Sequence, residues 1–524
     1  QLSQLLNLIQ PFVHRTPIVP STKTGILIRM RKFWERLAQS AEPLLQRLPP
    51  VRRKLESEYA EVEALAHEQI RKAVADIPYF SELPDIGVEE PQILEWLERL
   101  REREKPPWSQ GRVSGTVYHG GEEHSAFLSR VYALHAQSNP LHADLFPSTL
   151  HFESEIVKMT ARLLNGDPSH SDPDQQVVGT ATSGGTESIL LALKAYRDWA
   201  RAEKGITEPE VVAPETAHPA FDKAGHLFCI KVVRTPVRDD FKADVEAMHR
   251  AITRRTIALV ASAGTFPHGA VDPIPQIAQL AHEYGLGMHV DGCLGGFILP
   301  FIEALGYPVT PFDFRVQGVT SISVDLHKYG YTPKGVSVVL YRGRALRRYQ
   351  YFTATEWPGG LYASPTLPGS RPGALSVGAW ATLVRIGRTG YQEMARQIME
   401  TALHLRKGIE AIPDLRLMGE PLFLIAFTAD RLNIYQIWEQ MAQRGWRLNA
   451  LQKPPAIQIA VTVRHTQPGV AEQFLHDLHE AVQFVKANPK AEGKLAPIYG
   501  MANSLPFRGV IDEVLRHYLD ALYD

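Results

Sequence analysis

The sequence predicts an α/β protein whose core is a mainly parallel sheet covered on both faces by helices. Seven short β-branched runs support this prediction: QQVVGTAT, EPEVVAPE, FCIKVVRT, TIALVASAG, LGMHVD, GVTSISVD and GVSVVLY. Helical stretches such as 188–203 and 274–284 separate the runs, which is the alternation typical of a covered parallel sheet. No internal repeat or low-complexity segment interrupts this pattern.

The regions on either side of this α/β pattern have different residue patterns, so the sequence predicts three domains. Residues 1–110 form a helical N-terminal segment, in which Leu55, Tyr59, Val62 and Leu65 recur at helical spacing. Residues 111–375 form the large α/β domain, which ends in the loop ASPTLPGSRPG. Residues 376–524 form a smaller C-terminal α+β domain, with a long helix to about residue 412 and the strand candidates PLFLIAFTA and IQIAVTV.

The length, charge and cysteine content of the chain limit the classes of function that it can have. A chain of 524 residues is long enough for an enclosed site. Lys and Arg total 56 against 57 Asp and Glu, which gives no electrostatic reason to expect a nucleic-acid partner. The two cysteines, Cys229 and Cys293, cannot form a disulfide framework, and we expect both to be buried small hydrophobes in a reducing compartment.

The apolar runs and one amphipathic segment indicate how the chain could contact a membrane. No run of about 20 apolar residues occurs, so the sequence predicts no transmembrane helix. Residues 24–37, TGILIRMRKFWERL, mix large apolar side chains with Arg and Lys. Such a helix either lies on an anionic membrane surface or docks its apolar face on the protein body. We therefore expect a cytoplasmic protein, with peripheral membrane contact through residues 24–37 as one interpretation. The sequence begins with Gln1 and does not address a membrane anchor upstream.

A glycine-rich turn joins the first strand candidate to a helix in VVGTATSGGTESILLALKAYRDWA. Gly184 and Gly185 allow close approach of a ligand, and Thr186 with the free amides of the first helical turn offers donors for a phosphate. A plain helix start with Ser183 or Thr186 as the cap is the alternative interpretation.

Two later strand ends carry ionisable groups. Asp291 ends a strand in GMHVDGCLGGF, where it either caps a loop or holds a heterocyclic nitrogen in its protonated form. In VTSISVDLHKYGYTPKGVSVVLY, Lys328 follows His327 between two strands and is either a solvated charge or a desolvated nucleophile whose pKa falls near another cation. Together with the glycine turn, these groups match the phosphate, ring nitrogen and aldehyde of pyridoxal 5'-phosphate.

Several motifs make the match specific. SGTVYHG, SNPLHADLFPS, TSGGTESILLALKAYRD, FPHGAVDPIP, HVDGCLGGF, DFRVQGVTSISVDLHKYGYTPKG and YASPTLPGSRPGALS occur in order, from about residue 105 to IYGMANS. This chain resembles the sphingosine-1-phosphate lyase family, fold-type I pyridoxal phosphate enzymes related to the group II decarboxylases. Departures from the family pattern at Pro219, Gly292, Val324 and Leu326 remove no charged or nucleophilic group.

The resemblance implies roles for individual residues. Lys328 would hold the cofactor as a Schiff base, Asp291 would pair with its ring nitrogen, and His218 would stack on the ring. The implied contacts of the cofactor phosphate are Gly184, Gly185, Thr186 and His327.

The resemblance also implies a homodimer with shared active sites, in which Gly369 and Ser370 reach the neighbouring chain's site. Tyr118, Asn139, His142 and Lys334 fall on positions used for the substrate phosphate, and Tyr118 and His142 also on catalytic positions. Without the family motif, these four would be interpreted as a core aromatic, a helix cap, a surface histidine and a solvated lysine.

The implied reaction is cleavage of a phosphorylated sphingoid base between C2 and C3, which yields a fatty aldehyde and phosphoethanolamine. His142, Tyr118, Lys328 and the substrate phosphate all remain candidates for the base that takes the C3 hydroxyl proton.

The main alternative is an amino-acid decarboxylase of the glutamate or aromatic type with the same cofactor. A non-catalytic binding or scaffolding protein that keeps the fold is a second alternative. A dinucleotide dehydrogenase is disfavoured because no Gly-x-Gly-x-x-Gly follows a strand. HEYGL at 282–286 lacks the second histidine of a zinc motif, and no metal site is predicted.

Overall fold

The computed structural model describes residues 49–489 and 508–523. The described residues form two compact units, one within residues 1–106 and 494–524 and the other within residues 107–493. The three-domain division with boundaries after residues 110 and 375 stays a prediction. The amphipathic segment 24–37 lies outside the described residues.

The helices are numbered along the chain. They are α1 (Pro49–Ala73), α2 (Glu90–Ser109), α3 (Glu122–His135), α4 (Pro147–Leu163), α5 (Gly185–Lys204), α6 (Ala220–Phe228), α7 (Val245–Ala251), α8 (Ile274–Glu283), α9 (Leu299–Ala304), α10 (Arg344–Arg348), α11 (Gly373–Glu410), α12 (Ile434–Gln443), α13 (Val470–Ala487) and α14 (Arg508–Tyr523). A short 3-10 helix occupies Val463–Thr466.

The strands are numbered in the same way. They are β1 (Val177–Thr182), β2 (Glu210–Pro214), β3 (Lys231–Thr235), β4 (Thr256–Ser262), β5 (Gly287–Asp291), β6 (Ser321–Val324), β7 (Ser337–Arg342), β8 (Phe352–Ala354), β9 (Tyr362–Ser364), β10 (Leu415–Leu417), β11 (Leu424–Ala429), β12 (Asn449–Gln452) and β13 (Pro455–Ala460).

A seven-stranded sheet forms the core of the larger unit, in the order β1-β7-β6-β5-β4-β2-β3. Neighbouring strands are parallel except at β7, which runs antiparallel to both β1 and β6. Each of the seven predicted runs is one of these strands, so the predicted mainly parallel α/β fold is confirmed. Every residue of β4 and of β5 is buried, because helices cover both faces of the sheet. Tyr196 of α5, Phe221 of α6 and Tyr341 of β7 meet in the same core cluster.

The sheet brings three chain segments to one edge. Strands β1, β5 and β6 all run in the same direction, since β1 and β6 are both antiparallel to β7. Asp291 at the end of β5 pairs in register with Ser262 of β4 and Ser323 of β6. The glycine turn after β1, Asp291 and the His-Lys loop after β6 therefore share the carboxyl edge, where open α/β sheets bind ligands.

The rest of the larger unit contains a four-stranded antiparallel sheet in the order β10-β11-β13-β12. The strand candidates PLFLIAFTA and IQIAVTV are confirmed as β11 and β13, whereas β10 and β12 were not predicted. The long helix α11 is interrupted at Gly387, whose φ of 62° favours glycine. The predicted loop ASPTLPGSRPG begins inside β9, which pairs with β8.

In the smaller unit, α1 packs against α14. The rings of Tyr59 and His517 stack with centroids 4.5 Å apart, and His517 Nδ1 lies 2.5 Å from Glu63 Oε1. Tyr59 and Glu63 are four residues apart and thus lie on one face of α1. The predicted helix around Leu55, Tyr59, Val62 and Leu65 lies within α1, but Leu65 is 49% exposed. Within residues 49–489 and 508–523, every helix is too short or too polar to cross a membrane.

Candidate active site

A cleft of about 450 Å³ lies at the carboxyl edge of the seven-stranded sheet. Seven of the predicted site residues line it: Gly184, Gly185, Thr186, His218, Asp291, His327 and Lys328. These residues stand at the ends of four different strands or in the segments that follow them, so only the folded chain brings them together.

The glycine turn starts α5 without the predicted cap. Gly184 is the N-cap residue, and no side chain of its own caps the helix, so the interpretation with Ser183 or Thr186 as the cap is wrong. Instead, Glu187 Oε2 accepts hydrogen bonds from the amide of Ser183 at 2.6 Å and from its hydroxyl at 2.7 Å. The other oxygen of Glu187 accepts from the amide of Leu367 at 2.9 Å, which ties the turn to the loop that carries Gly369 and Ser370.

One glycine of this turn, Gly185, is closely packed against Cys293 and Asp325. A Cβ atom added to Gly185 would lie 2.6 Å from Cys293 Sγ and 2.7 Å from Asp325 Oδ1, whereas one added to Gly184 would meet its nearest atom, in His327, at 3.7 Å. Gly185 is therefore required by packing, and Gly184 leaves open space beside the first turn of α5. The amides of that turn lack helical acceptors, which makes the turn suited to an anion.

Lys328 forms an ion pair inside the cleft. Its Nζ lies 2.9 Å from Oδ2 of Asp325, and its side chain is 25% exposed, so it is not the solvated surface lysine of the alternative interpretation. Burial acts to lower the pKa of Lys328, but the Asp325 carboxylate outweighs it and the pKa is raised. The expected lowering of this pKa by a neighbouring cation is wrong for this arrangement, because the nearest charge is negative.

Asp291 is buried at the end of β5, where it makes the contact of a loop-capping residue, and its pairing with a ring nitrogen stays a prediction. Its Oδ1 accepts a hydrogen bond from the amide of Cys293 at 3.0 Å, as a loop-capping residue would. Its carboxylate also lines the cleft, and its negative charge partly offsets the effect of burial on the pKa of His218.

Both cleft histidines have a lowered pKa because burial disfavours the charged ring. His218 Nδ1 accepts from the amide of Ala220 at 3.1 Å, which leaves the proton of the neutral ring on Nε2. His327 Nδ1 donates to the carbonyl of Val336 at 3.0 Å, and its Nε2 faces Asp325 Oδ2 at 3.7 Å. The two rings are thus held in opposite tautomers.

Tyr118 and Lys334 lie beside each other and are not among the residues that line the cleft. Lys334 Nζ lies 4.8 Å from the centre of the Tyr118 ring, and the ring meets Tyr329 edge-on at 5.0 Å. Burial raises the pKa of Tyr118 to about 12. Burial and the charge of Lys328 lower the pKa of Lys334 to about 8. Tyr118 is the buried aromatic of the alternative interpretation, yet it faces a lysine rather than a purely apolar core.

The remaining predicted residues lie in a loop cluster that does not line the cleft. Asn139 Nδ2 donates to Ser370 Oγ at 3.1 Å, and Asn139 Oδ1 accepts from the amide of Arg371 at 3.2 Å. His142 is exposed in the turn that follows, where its amide donates to the carbonyl of Asn139 at 3.1 Å. Gly369 adjoins Ser370 in the same loop. The described part of this single chain therefore divides the predicted residues among the cleft, the pair of Tyr118 and Lys334, and this loop cluster.

Sequence reasoning missed three buried residues of the site: Asp325, Glu187 and Cys293. Asp325 lies three residues before Lys328, and Glu187 lies four residues after Ser183. Such spacings indicate that the two residues of each pair can contact each other, but they do not indicate that either pair belongs to the site. Cys293 is buried as expected and touches the glycine turn, whereas Cys229 is exposed and its predicted burial is wrong.

The chemistry of these donors fits pyridoxal phosphate. The cleft joins an amine, Lys328, a carboxylate, Asp291, and an open glycine turn at a helix N-terminus, which suit an aldehyde, a protonated ring nitrogen and a phosphate. The fold and the site together define the class of α/β enzymes that use this cofactor.

Comparison with known proteins identifies the family. Residues 81–429 match the model of the pyridoxal-dependent decarboxylase conserved domain. The sphingosine-1-phosphate lyase of Arabidopsis thaliana is 49% identical over 84% of this chain and 80% of its own length. Sphingosine-1-phosphate lyase 1 of Mus musculus is 42% identical over 95% of this chain and 87% of its own. The chain belongs to the sphingosine-1-phosphate lyase family, within the pyridoxal-dependent decarboxylases.

Two solved structures are similar to this chain in fold. A sphingosine-1-phosphate lyase of Burkholderia pseudomallei has 46% identity and a TM-score of 0.76, covering 79% of this chain and 96% of that one. A glutamate decarboxylase of Lactobacillus brevis, 23% identical with a TM-score of 0.67 over 80% of this chain and 97% of its own, shares the fold. The expected fold-type I architecture is therefore confirmed.

Proposed function

We propose that this chain is a pyridoxal phosphate-dependent lyase that cleaves the C2–C3 bond of long-chain base 1-phosphates such as sphingosine 1-phosphate. The products are a fatty aldehyde and phosphoethanolamine. The observation that carries the proposal is the presence of Lys328, Asp291 and the glycine turn in one cleft. Membership of the sphingosine-1-phosphate lyase family supports the substrate class.

Within this proposal the cleft residues hold the cofactor. Pyridoxal phosphate, when bound, supplies an aldehyde carbon for amines and a ring that accepts the electrons of the broken bond. Lys328 is the covalent attachment point, and the carboxylate of Asp291 keeps the ring nitrogen protonated because a nearby negative charge raises the pKa of a cation. Gly184, Gly185 and Thr186 offer backbone and hydroxyl donors to the phosphate.

The two histidines suit different tasks in this arrangement. Burial lowers the pKa of His218, and a neutral imidazole can stack on a positively charged ring without repulsion. His327 has its Nδ1 proton committed to Val336, so Nε2 must gain a proton before it can donate to the phosphate. A bound phosphate near His327 would raise the pKa of this histidine and favour that proton.

Tyr118 and Lys334 suit the phosphate of the substrate. The lysine is cationic below pH values near 8, where its lowered pKa lies, and a bound phosphate raises that pKa again. The phenol of Tyr118, whose pKa is raised to about 12, stays protonated at neutral pH. Tyr118 is thus better suited to donate a hydrogen bond than to take the C3 hydroxyl proton. His142, Lys328 and the substrate phosphate remain as candidate bases.

The loop cluster supports the proposal of a homodimer with shared sites. His142 and Ser370 are exposed and Asn139 is half-buried, and none of them lines the cleft of their own chain. A partner chain that places these residues over the cleft would complete both sites. If this is correct, Lys328→Ala and His142→Ala chains, each of low activity, regain activity when refolded together. Random pairing leaves one intact site in each mixed dimer, or about a quarter of all sites.

Product analysis tests the proposed reaction directly. The purified chain, loaded with pyridoxal phosphate, is expected to release phosphoethanolamine and a long-chain aldehyde from sphingosine 1-phosphate. Release of carbon dioxide from glutamate or aromatic amino acids, without aldehyde from the lipid, would establish the decarboxylase alternative. Lys328→Ala is the matched control, because it removes the attachment point and leaves the rest of the cleft.

Peripheral membrane contact through residues 24–37 is part of the proposal and is supported by the sequence of that segment alone. Replacement of Arg29, Arg31 and Lys32 with Glu is expected to reduce binding to vesicles that contain anionic lipid while activity on a detergent-solubilised substrate is retained. Equal vesicle binding by this variant and by the wild-type chain would contradict this contact.

A further inference from the structure

Asp325 is a buried carboxylate that touches three parts of the candidate site at once. Only 3% of its surface is exposed. Its Oδ2 lies 2.9 Å from Nζ of Lys328 and 3.7 Å from Nε2 of His327. Its Oδ1 accepts a hydrogen bond from the hydroxyl of Ser337 at 2.6 Å. The space between its oxygens and Gly185 is too small for a methyl group.

These contacts hold the carboxylate of Asp325 in place more firmly than the side chain of Lys328. Ser337 lies on β7 and Gly185 on the first turn of α5, so Asp325 is held by elements of the rigid core. Lys328 follows in a loop and reaches Asp325 with a flexible side chain. A buried carboxylate without a partner is strongly disfavoured, so Asp325 attracts any amine or proton that comes within reach.

The ion pair conflicts with the proposed task of Lys328. An ammonium group has no electron pair with which to attack an aldehyde, and each attachment to the cofactor must therefore begin with loss of a proton. Each displacement by a substrate amine returns a free lysine amine to the cleft. The ion pair must break and re-form in every catalytic cycle, which a purely structural contact does not require.

We propose that Asp325 is a positioning residue that holds the free amine of Lys328 as an ammonium ion and takes up its proton when the bond to the cofactor forms. The inference rests on the proposed function, since it takes Lys328 as the attachment point. The ammonium transfers one proton to Asp325, the neutral amine adds to the aldehyde carbon, and one water leaves. The proton then returns from Asp325 to the nitrogen, so ammonium and aldehyde become a protonated carbon–nitrogen double bond and water.

The inference is tested on the cofactor-free chain by competitive labelling of lysine amines at a series of pH values, read peptide by peptide by mass spectrometry. In Asp325→Asn the labelling midpoint of Lys328 is expected to fall by about 1–3 pH units, because an opposite charge at this distance is removed. Asp414→Asn is the matched control. It breaks the ion pair between Asp414 and Lys486, which is also 2.9 Å long but partly exposed, and it should leave Lys328 unchanged.

Ser337→Ala separates the charge of Asp325 from its packing. This variant removes the hydroxyl that orients the carboxylate and keeps the negative charge, so the Lys328 midpoint should stay close to that of the wild type. If Asp325 only supports the local fold, Ser337→Ala and Asp325→Asn will move the midpoint alike. That result, or an unmoved midpoint in Asp325→Asn, overturns the inference.

A second readout follows the rate at which added pyridoxal phosphate attaches, seen as visible absorbance between pH 6 and 9. The wild-type rate is expected to stay nearly constant over this range, because the proton passes from Lys328 to Asp325 and back without loss to solvent. In Asp325→Asn the proton must leave to solvent, so the rate should rise with pH, about tenfold per unit below the pKa of the lysine. A pH profile identical to that of the wild type overturns the inference.

Borohydride trapping and mass spectrometry of the labelled peptide distinguish the two possible failures. Cofactor on a lysine other than Lys328 overturns the proposed function and, with it, the role of Asp325. Cofactor on Lys328 with an unmoved midpoint in Asp325→Asn overturns the role of Asp325 alone.

Discussion

Gly185→Ala places one methyl group where the glycine turn is most tightly packed. The added Cβ would lie 2.6 Å from Cys293 Sγ and 2.7 and 2.9 Å from the two carboxylate oxygens of Asp325. Ordinary contacts between heavy atoms are about 3.5–4.0 Å long, so the neighbours must move by roughly 1 Å. Cys293 follows the buried strand β5, and Asp325 is held by Ser337 and Lys328, so neither moves freely.

The expected cost follows from this geometry. Overpacking of a core costs about 1–3 kcal/mol, and the better helix propensity of Ala offsets at most about 1 kcal/mol of it. We expect a net loss near 1–2 kcal/mol in the free energy of unfolding, which lowers the midpoint of thermal unfolding by a few degrees. Displacement of Asp325 also moves Lys328, so the affinity for pyridoxal phosphate should fall by about tenfold for each 1.4 kcal/mol that the strain removes from binding.

The assay compares thermal unfolding of the cofactor-free chains by circular dichroism, followed by titration with pyridoxal phosphate. Gly184→Ala is the control, because its Cβ would meet nothing closer than 3.7 Å and its φ of 166° is extended backbone that any residue adopts. Its thermal midpoint should equal that of the wild type. A Gly185→Ala chain as stable as the Gly184→Ala chain would refute the reasoning.

Three further predictions concern the site. Lys328→Ala should abolish borohydride trapping of the cofactor and activity together, and survival of either would contradict its role as the attachment point. Asp291→Asn should still bind the cofactor but turn over slower by about two powers of ten or more, each power being about 1.4 kcal/mol of barrier, whereas near-normal turnover would mean that Asp291 is not the partner of the ring nitrogen. Because the pKa of Lys334 is lowered to about 8, its positive charge is present below that pH and lost above it, so KM for the lipid phosphate should rise as pH passes 8. Lys334→Arg, which stays charged, should flatten this rise, and an unchanged pH profile of KM would argue against contact between Lys334 and the phosphate.

The strands of the large sheet were predictable because each is a short apolar run bounded by turn residues. The run TIALVASAG, for example, is β4, all of whose residues are buried. The antiparallel direction of β7 was not predictable, because it depends on pairing β7 with β1, about 160 positions earlier in the chain. The strands β10 and β12 have only three and four residues, too few for a period to be recognised.

The candidate site was predictable to the extent that its residues stand in local motifs. The glycine turn, Asp291 and Lys328 each follow a strand candidate, and parallel strands bring such positions to one edge. The pKa of Lys328 was not predictable, since it depends on which charge lies nearest in space. Likewise, the hydrogen bond between Glu187 and the amide of Leu367 joins residues that the sequence does not relate.

The sequence by itself determined the type of most elements and the three groups that match pyridoxal phosphate, because strand runs, turns and strand-end residues are local properties of the chain. Only the tertiary structure decided that Asp325, rather than a cation, lies beside Lys328. It also decided that Asn139 and Ser370 meet away from the cleft of their own chain. Asp325 stands only three residues before Lys328, but burial of its carboxylate and its hydrogen bond to Ser337 depend on the folded core. Asn139 and Ser370 are 231 positions apart, and the fold alone sets the distance between them.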